Sequence, residues 1–202
     1  MMKLHWSPRS PFVRKVLVCA QELGVQDRLS LVRTVASARD PHAGLMLDNP
    51  LSKIPTLVLE DGSSLMDSVV ICEYLNDLVQ GPMFPKEPEQ KWKVLRWHAL
   101  ANGLMDVLIL WRHERERTHP DNQLLAAYDQ KFRASLAFFS AELPALSLQG
   151  VNMATIALAC TLGYLDYRYV YTAWRERYPA LAQWFMAWEE RPSMVSTRAM
   201  DG

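Results

Sequence analysis

The chain has 202 residues, half of them hydrophobic, with 22 Lys and Arg set against 22 Asp and Glu. That length allows two small domains with cores of their own, and zero formal charge gives no electrostatic reason to expect nucleic acid or an anionic membrane as partner. Cys19, Cys72 and Cys160 each sit in an apolar stretch without CxxC spacing, which suits buried free thiols in a reducing compartment rather than disulfides. The most apolar run, Val151 to Leu165, is interrupted by Asn152, Thr155 and Thr161 and is too short to cross a bilayer. The first residues lack the apolar stretch of a secretory signal. The expectation is a cytoplasmic protein with no membrane partner.

Short strands alternate with helical patterns up to about residue 80. Lys3 to Trp6 is a strand candidate, followed by a helix on Val13, Val16, Leu17, Ala20 and Leu23 that Gly24 stops. Arg28 to Thr34 is a second strand. Thr56 to Glu60 and Ser63 to Met66 flank Asp61-Gly62, a strong hairpin signal. Ile71, Tyr74, Leu75 and Leu78 return to helical spacing, with Ser68 placed as N-cap. The order is β-α-β-(α)-β-β-α, a small α/β or α+β domain over residues 1–80. Gly81, Pro82, Pro85 and Pro88 mark residues 81–88 as a linker.

Residues 89–202 read as all helical. Trp97, Leu100, Ala101, Leu104, Met105, Leu108 and Trp111 form one apolar stripe within a helix from about Glu89 to Arg117. Leu125, Tyr128, Phe132, Leu136, Phe139 and Leu143 form the next, with Asp121 as its cap. Ile156, Ala157, Cys160, Gly163, Tyr164 and Tyr167 line a helix of small residues suited to a central position. Leu181, Trp184, Phe185 and Trp188 form the last, begun after Pro179 and ended near Pro192.

Three segments carry chemistry. In Asn49-Pro50-Leu51-Ser52-Lys53-Ile54-Pro55-Thr56 a proline opens a strand, which suits either a plain loop-to-strand stop or a cis-prolyl bend. Such a bend leaves the backbone of Ile54 unpaired, so that an extended peptide can add there as a strand. Asp67-Ser68 opens a helix; it is either a simple cap or a place where a carboxylate meets free N–H groups and Asp67 meets an ammonium group. In Ser7-Pro8-Arg9-Ser10-Pro11-Phe12-Val13-Arg14-Lys15, Pro11 takes the first helical position. Ser10 then lies at the positive end of the helix, where a thiolate is stabilised.

Together, Ser10-Pro11-Phe12, Asn49-Pro50 through Ile54-Pro55, and Asp67-Ser68 through Glu73-Tyr74-Leu75 resemble the N-terminal pattern of the glutathione transferases, in order and spacing. The segment from Val151 to Cys160 resembles the family's buried sixth helix, with Thr155 in place of the usual aspartate of its capping box. Ser10 falls where serine-type classes carry their catalytic serine, and the Ser-Pro-Phe-Val-Arg-Lys segment is similar to that of bacterial members. The resemblance implies a thioredoxin-like N-terminal domain and an all-helical C-terminal domain, associated as a homodimer. It implies glutathione as co-substrate and no metal. Glutathione is expected on Lys53, Ile54, Pro55, Asp67 and Ser68, with Ser10 donating to its sulfur and the thiolate attacking a small electrophile.

Ser7 is a rival to Ser10, but Ser7 would end a strand rather than begin a helix. Trp6, Arg9, Met105, Leu108, Ile109 and Arg112 are expected to wall the electrophile pocket. His98, Asn102 and Asp106 share one helix face and line a subunit cleft or the site, or else meet solvent. The alternatives to a transferase are a glutathione-binding or interaction module with little catalysis, and thiol–disulfide exchange. Ser10, standing where exchange needs a reactive cysteine, disfavours the last.

Overall fold

A computed structural model describes residues 1–201, and in it the chain divides into two units. The first is Met1–Phe84 together with the residues from Pro192 onward, and the second is Pro85–Arg191.

The first unit is built on a four-stranded mixed sheet of order β2-β1-β3-β4. β1 (Met2–Trp6) pairs in parallel with β2 (Leu29–Arg33) and antiparallel with β3 (Thr56–Val58), which pairs with β4 (Ser64–Leu65). β1 is therefore central, and Leu4 and its cross-strand neighbour Leu57 are both fully buried. α1 (Pro11–Glu22) and α3 (Ser68–Asp77) pack together, while the short α2 (Ala43–Asp48) connects β2 to β3. Gly24 ends α1 at φ 68°, donating to the Gln21 carbonyl as Val25 reaches back to Ala20, the paired bonds of a Schellman stop.

The second unit contains α4 (Pro88–Arg115), α5 (Asn122–Ser147), α6 (Met153–Arg168), α7 (Trp174–Arg177) and α8 (Pro179–Glu189). α6 is its axis: every residue from Met153 to Leu162 is buried, α4 and α8 pack against it, and α5 packs on α4 and α8. The Asp-to-Thr change at its start leaves the capping box whole. Asn152 Oδ1 accepts from the Ala154 and Thr155 N–H groups, and Thr155 Oγ1 accepts from the Asn152 N–H at 3.0 Å. Asp121 caps α5 through the N–H groups of Gln123 and Leu124.

Three expectations need correction. The helical domain does not run to residue 202, because α9 (Pro192–Ser196) joins the first unit. There the buried Arg14 guanidinium donates to the Met194 carbonyl at 3.0 Å, and Ser193 donates to Glu22 at 2.5 Å. The cap of α3 is Asp67 rather than Ser68, since the Asp67 carboxylate accepts from the Val69 N–H at 2.8 Å and Ser68 is the first helical residue. The His98 face is not open to solvent throughout. His98 is buried and bonded to Asn102 across one turn, while Asp106 is exposed.

Candidate glutathione site

The strand registers gather the candidate residues at one end of the first sheet. His5 stands opposite Thr56, and Leu57 opposite Leu65. The chain that leaves β1 toward Ser10, the Ile54-Pro55 step that enters β3, and the Asp67 cap that follows β4 therefore share that end.

Ser10 is the N-cap of α1, with φ −87° and ψ 120°. Its Oγ accepts from the Val13 N–H at 3.2 Å, which uses a lone pair and leaves the hydroxyl proton to donate. Pro11, at the first helical position, has no N–H to compete. Ser7 precedes the helix, and its Oγ accepts only a long 3.4 Å bond from the Arg9 N–H. Of the two serines, Ser10 has both a half-buried hydroxyl and a helix terminus.

The Ile54–Pro55 bond is cis, as is Met66–Asp67. Ile54 lies ahead of β3, outside the ladders with β1 and β4. Asn49 shapes the loop that presents it. Asn49 Oδ1 accepts from the Leu51 N–H at 3.0 Å, and Nδ2 donates to the Lys53 carbonyl at 3.1 Å and to Thr56 Oγ1 at 2.9 Å. Thr56 in turn donates to the Lys53 carbonyl at 2.8 Å. The Lys53 side chain is exposed beside this loop, Asp67 is exposed at its cap, and Ser68 is buried.

A part-buried network fixes the loop from behind. His5 Nδ1 is 2.8 Å from Thr34 Oγ1, and His5 Nε2 donates to Asp48 Oδ2 at 2.8 Å. Lys3 Nζ donates to the same oxygen at 2.7 Å. The Lys3 bond first, and then the His5 bond, hold the Asp48 carboxyl below its ordinary range. Asp48 ends α2 directly before Asn49, so this network ties the loop to the central strand. Sequence reasoning missed it, because its members lie 29 to 45 residues apart.

Of the six residues expected to wall an electrophile pocket, Met105 and Leu108 are fully buried in the helical core and keep no surface for a ligand. Trp6, Arg9, Ile109 and Arg112 retain accessible surface. The Arg33 guanidinium lies 5.7 Å from the Trp6 ring centre. Cys19, Cys72 and Cys160 are all buried and outside any disulfide among the described residues, and none begins a helix.

The family model described as the glutathione S-transferase N-terminal domain matches residues 9–78, and that of the C-terminal domain matches residues 122–187. The GST-like protein YibF of Escherichia coli K12 is 34% identical over 178 residues, covering 86% of each chain. The chain belongs to the glutathione S-transferase family. Among solved glutathione transferase structures, a family member from Pseudomonas fluorescens Pf-5 with bound glutathione is 39% identical, with a TM-score of 0.95 and both chains covered in full. A second from the same organism, with bound S-(propanoic acid)-glutathione, is 37% identical at a TM-score of 0.90, covering 99% of this chain and 100% of that one. The small mixed sheet followed by a helical domain is thus the glutathione transferase architecture. Among the described residues, no helix is long and apolar enough to cross a membrane.

Proposed function

We propose that the protein is a serine-type glutathione transferase that conjugates the thiolate of glutathione to small electrophiles. The observation that carries this reading is the meeting, at one end of the sheet, of a capping serine, a cis-prolyl step outside the ladders, and an acidic cap. In the proposed complex the cysteinyl backbone of glutathione adds as a strand beside Ile54, with Pro55 holding the bend. Its γ-glutamyl carboxylate meets the N-terminus of α3 at Ser68, and its ammonium group meets Asp67. Lys53 serves the glycyl carboxylate. The Ser10 hydroxyl donates to the sulfur, and the terminus of α1 adds its positive partial charge, so the thiol ionises nearer neutral pH.

The thiolate then attacks the electrophile, forming a carbon–sulfur bond as the leaving group or π-electron pair departs, and no protein nucleophile is required. The thioether of glutathione held by the Pseudomonas relative is of the class such a reaction makes. The exposed Leu47 and Leu51 beside the loop support a homodimer, which light scattering at micromolar concentration would read as twice the chain mass.

The reading is tested by turnover of glutathione with a panel of electrophiles, comparing the parent with Ser10→Ala. The expected result is product formation by the parent and a fall of ~10- to 100-fold in the variant, the worth of one hydrogen bond to a charged group. Tight glutathione binding with no turnover of any electrophile would leave a binding module in its place.

A further inference from the structure

The end of the first sheet remote from Ser10, Pro55 and Asp67 holds a cavity of about 490 Å³. The strand directions put it there. β1 and β2 begin at that end and the antiparallel β3 finishes there, at Val58. The cavity is accordingly walled by Met2, by Asp27 and Arg28 ahead of β2, and by the residues from Leu59 to Asp61 after β3. Tyr74 and Leu78, on the last turn and the C-cap of α3, close the remaining side. All of these residues belong to the first unit. The volume lies within the roughly 300–1,000 Å³ range of small-molecule sites.

Its chemistry is that of a cation site over an apolar floor. Met2 is buried, Leu59 and Tyr74 are half-buried, and Leu78 is exposed at the edge. The face of an aromatic ring is negative, and the C-terminal end of α3 adds negative partial charge beside Tyr74. Three carboxylates line the cavity, Asp27, Glu60 and Asp61, against the single guanidinium of Arg28. Arg28 forms no ion pair with them. Glu60 accepts from the Met1 ammonium at 2.5 Å, so one ammonium group is already seated on this rim. Asp61 is held in place by Ser63, whose N–H and hydroxyl both donate to Oδ1, at 2.9 and 2.6 Å, and Oδ2 stays open to another donor. Asp27 stands across β1 from it with no partner among the described residues. Two carboxylates thus flank an apolar surface that offers a π-face, and a positive group on a hydrocarbon body complements both.

We infer that this cavity is a binding site for a small arylalkyl amine. Its ammonium group is held by Asp27 and Asp61, and its aromatic body lies against Tyr74, Leu59 and Leu78. This goes beyond the transferase reading and does not rest on it, since none of the residues proposed to hold glutathione lines the cavity.

The test is calorimetric titration of the full chain at low ionic strength with 2-(1-naphthyl)ethylamine and its neutral match 2-(1-naphthyl)ethanol. The amine is expected to bind one per chain, ~3- to 10-fold more tightly than the alcohol, the worth of two solvent-exposed charge pairs. That preference should shrink in about 0.5 M salt, which screens such pairs. Joint Asp27→Asn and Asp61→Asn substitution should erase the preference and leave the alcohol unchanged. Both side chains are exposed, and Asn still offers Ser63 an oxygen, so the melting temperature should hold. Tyr74→Leu, which keeps apolar bulk and removes the π-face, should weaken the amine more than the alcohol. Saturating glutathione should leave the amine bound. No binding of the amine to the parent, equal affinity for amine and alcohol, an undiminished preference in the double variant, or displacement of the amine by glutathione would overturn the assignment.

Discussion

Asn49→Ala is the perturbation that most directly probes how the loop carrying Ile54 is held. Asn49 is 2% exposed and makes three side-chain hydrogen bonds, to the Leu51 N–H, the Lys53 carbonyl and Thr56 Oγ1. At ~0.5–1.5 kcal/mol net for each neutral bond, their sum is ~1.5–4.5 kcal/mol. Two features pull the expected loss toward the middle of that range. Thr56 still donates to the Lys53 carbonyl in the variant, and Leu51 is exposed, so water can reach its N–H. We predict a loss of ~2–3 kcal/mol in urea unfolding, with the denaturant slope unchanged. Calorimetry at a temperature where the variant is folded should show a weaker glutathione complex, since the backbone of Ile54 is no longer held in place. A loss below ~0.5 kcal/mol, inside the range of ordinary surface changes, or a full loss of stability with glutathione affinity untouched, would refute the view that Asn49 orders the loop for binding.

Asp67→Asn keeps an oxygen for the Val69 N–H, so stability should change little. Glutathione affinity should nonetheless fall by ~10-fold or more, because the ammonium group loses its charged partner; an equal affinity by calorimetry would return Asp67 to a plain cap. Thr155→Val removes the acceptor of the Asn152 N–H and should cost ~1–2 kcal/mol in thermal or urea unfolding. Asp48 has a folded pKa below its ordinary 3.8, so its stabilisation is present above that value and is lost as pH falls through the folded one. Acid unfolding followed by circular dichroism should therefore show Asp48→Asn losing less stability than the parent between about pH 4 and pH 2. A parallel acid limb in the two proteins would contradict this.

Local signals made much of the fold legible. Asp61-Gly62 between apolar runs announced the β3–β4 hairpin, Gly24 announced the end of α1, and apolar spacing announced α4, α5, α6 and α8. Each depends on residues within a few turns of one another. At Ile54-Pro55 the local pattern suited a plain loop-to-strand stop as well as a cis bend, and the structure has the cis bond. What escaped was non-local. The bonds linking Lys3, His5, Thr34 and Asp48 join segments whose separate patterns carry no trace of the pairing. The return of α9 to α1 depends on Arg14 finding a carbonyl at Met194, 180 residues later. Met105 and Leu108 stand on an apolar helical stripe, which serves a core more often than a pocket wall, and the packing of α4 against α6 puts both in the core. The shift of the α3 cap from Ser68 to Asp67 is a matter of one residue, and both types cap well, so sequence had no means to separate them.

The central claim is that Ser10 stabilises the thiolate of bound glutathione, and ultraviolet titration of the thiolate in the saturated complex measures that directly. Free thiols of this kind titrate near ~8.5. The account predicts a lower pKa in the parent complex, and in Ser10→Ala a rise of about one to two units, which is ~1.5–3 kcal/mol for a hydrogen bond to a charged group. Glutathione affinity should stay nearly intact, because Ile54, Asp67 and Ser68 remain. An unchanged thiol pKa in Ser10→Ala with a large shift in Ser7→Ala would move the role to Ser7. No shift in either variant would contradict the claim that a serine activates the thiol.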